Sequence, residues 1–149
     1  LSATVVAALL TAGDLDALTV DARTWLRTDD RFGDARVDRD DVRVRSAFQW
    51  SCDNWSLGSN PGMGNEGLFF FYNVLARSLD AYGVDVIPRE EAADVAWRRA
   101  LCEKLLAMQK IDPETGNGYW INETGRFWER DPVLVTAYSM LALQDALGL

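Results

Sequence analysis

The chain has 149 residues, 48% of them apolar and 26% charged, which is enough for one domain with a real core. Its net charge of −8 repels phosphate backbones, so nucleic acid is not an expected partner. The complete lack of histidine removes Ser-His-Asp and Cys-His catalysis and the commonest zinc ligand.

Cys52 and Cys102 lie far apart in sequence. They read as two small buried hydrophobes, with a single disulfide as the alternative. No apolar run reaches the ~18 residues of a spanning helix, so the expectation is a soluble or peripheral protein, its compartment open.

The first predicted element is an apolar helix, "TVVAALLTAG", stopped by Gly13. An amphipathic helix around Trp25 follows in "DARTWLRT". From Gly33 to Trp50, acids alternate with arginines and little apolar periodicity is visible. This stretch, 33–50, is expected to be a solvated charged insertion loop. "VRVRSAF" at 42–48 is too short to found a sheet, and no other strand pattern is apparent.

The segment "NPGMGNEG" contains Gly62-x-Gly64-x-x-Gly67, spelled like a dinucleotide fingerprint. That fingerprint needs a strand before it and a βαβ unit around it. Here "WSCDNWSLGSN" precedes it, so the glycines read as a tight elbow into the next helix. That helix, Leu68 to Tyr82, begins apolar on nearly every face and stops at Gly83. Next comes an amphipathic helix in "EEAADVAWRRALCEKLLAMQK", with Pro88, Glu90 and Glu91 suited to its start. Trp97, Leu101, Leu105 and Met108 form its apolar stripe; Arg98, Arg99, Glu103 and Lys104 lie off it.

"GYWINETGRFWERDP", Gly118 to Pro132, is the richest cluster. It sets Tyr119, Trp120, Phe127 and Trp128 beside Glu123, Glu129 and Asp131. One reading is a loop whose aromatics cap the helix layer. The other is a cavity mouth, with aromatic faces for an apolar or cationic ligand and carboxylates as acids or bases. Asp131-Pro132 then supplies a cap and first position for a last apolar helix, which stops at Gly148. Asn54-Trp55-Ser56 and Asn122-Glu123-Thr124 match the glycosylation pattern, which is short and matches by chance.

The glycine stops recur about every 65–70 residues, at Gly13, Gly83 and Gly148. Apolar and amphipathic helices alternate between them. The expected fold class is therefore all-α: helical hairpin repeats, one domain over residues 1–149.

Several stretches together resemble a known family. "GMGNEGLFFFYNVLARSLDAYG", "AWRRALCEKLLAMQ", "GYWIN" and "RFWERDPVLVTAYSMLAL" are similar to the final repeats of prenyltransferase/squalene-oxidase-repeat proteins, in the terpenoid-cyclase superfamily. The resemblance implies a segment of an α/α toroid around an apolar cavity that binds an isoprenoid, with cyclisation or isomerisation as the reaction if it is catalytic. It implies Tyr72, Trp120, Trp128 and Tyr138 as cavity residues and Asp131 or Glu129 as the acid. Three features depart from the family. The Gln-x-x-x-Gly-x-Trp motif is stretched, running from Gln109 to Trp120. Asn73 stands where many relatives carry histidine, a zinc ligand in protein prenyltransferases, so no metal or cofactor is expected. About five helices are countable, less than half a toroid, which implies self-association or the remainder of a longer chain.

"DRDD" at 38–41 spells the acid motif of squalene–hopene cyclases. A proton donor to an alkene needs a dry pocket, whereas Arg36, Arg39, Arg43 and Arg45 crowd this stretch and favour ionised carboxylates in water. Calcium-loop spacing is absent. Two other functional classes stay open: a non-catalytic helical scaffold for protein interaction, and a carbohydrate-active α/α toroid using tryptophan with carboxylates.

Overall fold

The computed structural model describes residues 39–124 and 126–149. The expected helices around Gly13 and Trp25, and Asp38, lie outside the described residues. Four helices run through the rest: α1 (Val42–Asp53), α2 (Leu68–Tyr82), α3 (Trp97–Met108) and α4 (Pro132–Leu147). Two small antiparallel ribbons join them, β1 (Val86–Ile87) with β2 (Val95–Ala96), and β3 (Lys110–Ile111) with β4 (Gly118–Tyr119). The described part is thus mostly helical rather than all-α.

The charged stretch is the largest departure from expectation. From Val42 onward it is a helix, capped by the Asp41 side chain, which accepts from the Arg43 N–H at 2.8 Å. Its inward side is Val44, Phe48 and Cys52, one residue per turn, diluted by arginines. Phe48 stacks on Tyr82 of α2 with centroids 4.2 Å apart. Arg39 lies 5.0 Å from the same Tyr82 ring and donates to the Gly83 carbonyl at 2.8 Å, where the helix dipole favours a cation. Asp41 also pairs with the Arg43 guanidinium at 2.6 Å. That bond, with the backbone N–H, holds its carboxyl below the usual range, opposite to what a proton donor needs.

α2 and α4 pack against each other most extensively, and α3 lies against α4. The core between them comprises Leu68, Phe69, Tyr72, Leu75 and Leu79 of α2, the expected Trp97–Leu101–Leu105 stripe of α3, and Val135 and Ala142 of α4. Both apolar helices stop as expected, at Gly83 and Gly148, each in the left-handed conformation. Neither is enclosed on all sides. Phe70 and Val74 on α2, and Val133, Met140 and Leu141 on α4, remain exposed among the described residues.

α3 starts at Trp97, not near Pro88. Residues 88–94 form the loop of the first ribbon, because Val86–Ile87 pairs back on Val95–Ala96 and buries Ile87. The Trp97 indole N–H donates to the Val84 carbonyl at 2.6 Å, fixing the helix start. Arg98 then ties three segments together, bonding Asp80 at 2.6 Å, Asp85 at 2.9 Å and the Asp145 carbonyl at 2.6 Å.

The second ribbon accounts for the stretched spacing between Gln109 and Trp120. Asp112 closes its turn by accepting from the Glu114 and Thr115 N–H groups at 2.8 and 3.1 Å. The strand returns so that the Gln109 carboxamide covers Gly118, where a Cβ would overlap it. Trp120 arrives buried, its indole donating to the Leu105 carbonyl at 2.7 Å, which satisfies the end of α3. Cys52 and Cys102 are both free. No helix among the described residues is long and apolar enough to cross a membrane.

Candidate functional site

The Asn60–Gly67 elbow folds as a tight turn before α2. The Asn60 N–H donates to the Gly64 carbonyl at 2.7 Å, and the Asn60 side-chain amide to the Glu66 carbonyl at 2.8 Å. Gly62, Gly64 and Gly67 all have positive φ, near 78°, 62° and 63°. Gly67 meets a second constraint, since a Cβ there would sit 3.3 Å from the Phe127 ring. The glycines therefore serve the turn, and the segment before them is not a strand.

Between this elbow, α2, α4 and the 126–128 turn lies a hollow of about 460 Å³. Asn60, Met63 and Gly67 come from the elbow, Phe70, Phe71 and Val74 from α2, and Tyr138 from α4. Phe127 and Trp128 complete the rim. No lining residue carries a charge, and the volume is that of a small-molecule pocket. Phe70 and Tyr138 meet edge to face at 5.6 Å.

The rim aromatics sit on unusual backbone. Phe127 and Trp128 both have positive φ, 59° and 63°, and are the only non-glycine residues to do so among those described. This conformation costs roughly 1–2 kcal/mol per side chain. Two anchors hold it. Upstream, Arg126 pairs with Glu66 at 2.8 Å. Downstream, Glu129 is fully buried, one carboxylate oxygen accepting from the Phe70 N–H at 2.9 Å and the other from the Asn122 amide at 2.5 Å. Gly67, the N-cap residue of α2, makes no side-chain cap bond, so Glu129 caps that helix from 59 residues away in sequence. Asn122 also donates to the Asn65 carbonyl at 2.6 Å and is only 8% exposed, so its glycosylation pattern is structurally closed.

Of the residues expected at the site, Trp128 and Tyr138 line the hollow. Tyr72 does not: it is buried in the core, with its hydroxyl donating to the Leu57 carbonyl at 2.6 Å. Trp120 is likewise a core residue. Asp131 caps α4, accepting from the Val133 N–H at 2.9 Å. Both expected acids are thus engaged as helix caps, Glu129 for α2 and Asp131 for α4. Burial first, then the negative charge of Glu129, push the Tyr72 and Tyr138 phenols above their ordinary range, so both stay protonated. Phe70, Phe71, Val74, Met63 and Asn60 were not singled out from the sequence. The signal was present: at 100° per residue, positions 70, 71 and 74 share a side of α2 that positions 68, 72, 75 and 79 do not.

No group of three or more histidine, cysteine or acidic side chains able to hold a metal occurs among the described residues. Comparison of the chain with known protein families, with characterised proteins and with solved structures gives no match.

Proposed function

We propose that this chain is a terpenoid-cyclase-like helical segment whose aromatic hollow binds a small apolar, isoprenoid-like molecule. The observation that carries this reading is the hollow's lining: five aromatic side chains, Met63 and Val74, with no charge among them. Such a surface desolvates an apolar ligand at little polar cost and offers π-faces to unsaturated carbon. The strained Phe127–Trp128 backbone, held by the buried Glu129 and the Arg126–Glu66 pair, supports a ligand-contacting role for those two rings. The reading is one of binding. For cyclisation or isomerisation, an acid would have to reach the ligand from outside the lining, because Glu129 and Asp131 are occupied as caps. Sugar cleavage by paired carboxylates draws no support from a lining without any.

The test is extraction of the purified full chain and mass spectrometry of co-purified small molecules, beside the Trp128→Ala variant. A polyprenoid or terpenoid retained by the natural chain and depleted in the variant is expected. Equal, empty extracts, together with no binding of added isoprenoids, would reject the reading.

A second reading is a helical scaffold. The exposed side chains of α4, Val133 at 77% and Leu147 at 62%, favour it, since apolar surface of this kind marks interaction faces. Light scattering of the purified chain tests it, a concentration-dependent rise in mass being its expected signature.

A further inference from the structure

One polar side chain of the hollow's lining makes no hydrogen bond among the described residues. Tyr138, half-buried on α4, lines it and makes an edge contact with Phe70, yet its hydroxyl has no hydrogen-bond partner among the described residues. The buried Tyr72 nearby in the fold shows the contrast, its hydroxyl being satisfied by the Leu57 carbonyl at 2.6 Å. The other polar lining side chain, Asn60, already donates an amide N–H to the Glu66 carbonyl within the elbow. A ligand that covers this phenol and accepts nothing from it leaves the hydroxyl unpaired, which is costly. The volume limits what that something is: about 460 Å³ holds roughly fifteen groups the size of a water molecule, at ~30 Å³ each.

We infer that the hollow selects a neutral amphiphile, an apolar body of about fifteen carbons bearing one hydroxyl or carbonyl oxygen, and that the Tyr138 hydroxyl donates to that oxygen. This rests on the proposed binding function and narrows it. A longer hydrocarbon would extend out of the hollow into water, and a diphosphate or carboxylate head finds no cation in the lining. Tyr138 is then a specificity-determining residue. The edge contact with Phe70 fixes its ring, and the raised proton affinity from burial keeps it a donor at neutral pH.

The experiment compares farnesol, a fifteen-carbon isoprenoid alcohol, with farnesene, the hydrocarbon of equal carbon count, by calorimetric titration of the full chain. Farnesol is expected to bind about fivefold tighter, the net worth of one hydrogen bond. In Tyr138→Phe, which keeps the ring, that preference should vanish. Equal affinities in the natural chain overturn the inference while leaving the apolar site standing. So does a preference that survives in Tyr138→Phe with an unchanged melting temperature. Binding of neither compound overturns both the inference and the reading beneath it.

Discussion

Removing the Glu129 carboxylate tests how the site is held together. The side chain is fully buried and satisfies the Phe70 N–H at 2.9 Å and the Asn122 amide at 2.5 Å. In Glu129→Ala the Phe70 N–H loses its only partner in the first turn of α2, while Asn122 keeps the Asn65 carbonyl. Each hydrogen bond to a buried charge contributes about 1.5–3 kcal/mol, and a favourable helix N-terminus adds up to ~1 kcal/mol. Because Asn122 keeps its second acceptor, the loss should fall in the lower part of that sum, about 3–5 kcal/mol. For a chain of this size that lowers the melting temperature by roughly 10–15 °C. Glu129→Gln keeps an acceptor for Phe70 but turns an amide donor toward the Asn122 amide, so about half that loss is expected. Thermal unfolding followed by circular dichroism measures both. If Glu129→Ala stays within about 1 kcal/mol of the natural chain, the carboxylate is not a remote cap of α2, and the strain at Phe127 and Trp128 must be offset elsewhere.

Other outcomes follow from the same geometry. Gly67→Ala imposes a side chain at φ 63° against the Phe127 ring, and should cost roughly 1–2 kcal/mol by urea unfolding while weakening isoprenoid binding. Asn73 carries the one buried side-chain oxygen without a partner among the described residues, so Asn73→Leu should raise stability by about 1 kcal/mol; a lower melting temperature would contradict this. Arg43, then its own N–H bond, lowers the Asp41 carboxyl. Because the folded chain prefers the ionised form, that contribution is present above the ordinary value of 3.8 and fades as pH falls through the depressed folded value. NMR of the Arg43 amide should show a transition below about pH 4 that disappears in Asp41→Asn.

Helix ends and the α3 core were legible from single residues. Gly83, Gly148 and Asp131-Pro132 mark their termini through local conformational preference, which needs no tertiary partner. The Trp97–Leu101–Leu105 stripe was equally plain. The helix at Val42–Asp53 was hidden because its three inward residues are outnumbered by the polar and charged residues between them. The ribbons escaped notice because two-residue strands carry no periodicity. Within the site, composition pointed to the Gly118–Pro132 aromatics but could not separate Trp120, which faces the core, from Trp128 at the rim. The role of Glu129 depends on a partner 59 residues away, and no local pattern announces it.

The ribbon between α3 and Trp120 also decides where this chain tolerates change in length. Trp120 is fixed by the Leu105 carbonyl at 2.7 Å and by Thr136, whose hydroxyl accepts its N–H at 3.1 Å. The turn 112–117 extends beyond those anchors, mostly exposed. Its size is thus uncoupled from the packing beneath it, and doubling a loop costs only about 0.6 kcal/mol in closure entropy. Within the strands, additions must come as matched pairs, because a one-residue slip would turn Tyr119 and Ile111 to the opposite faces. The tip at Pro113–Glu114 is accordingly a natural port for an affinity peptide or a fluorophore tag, placed without touching the aromatic hollow.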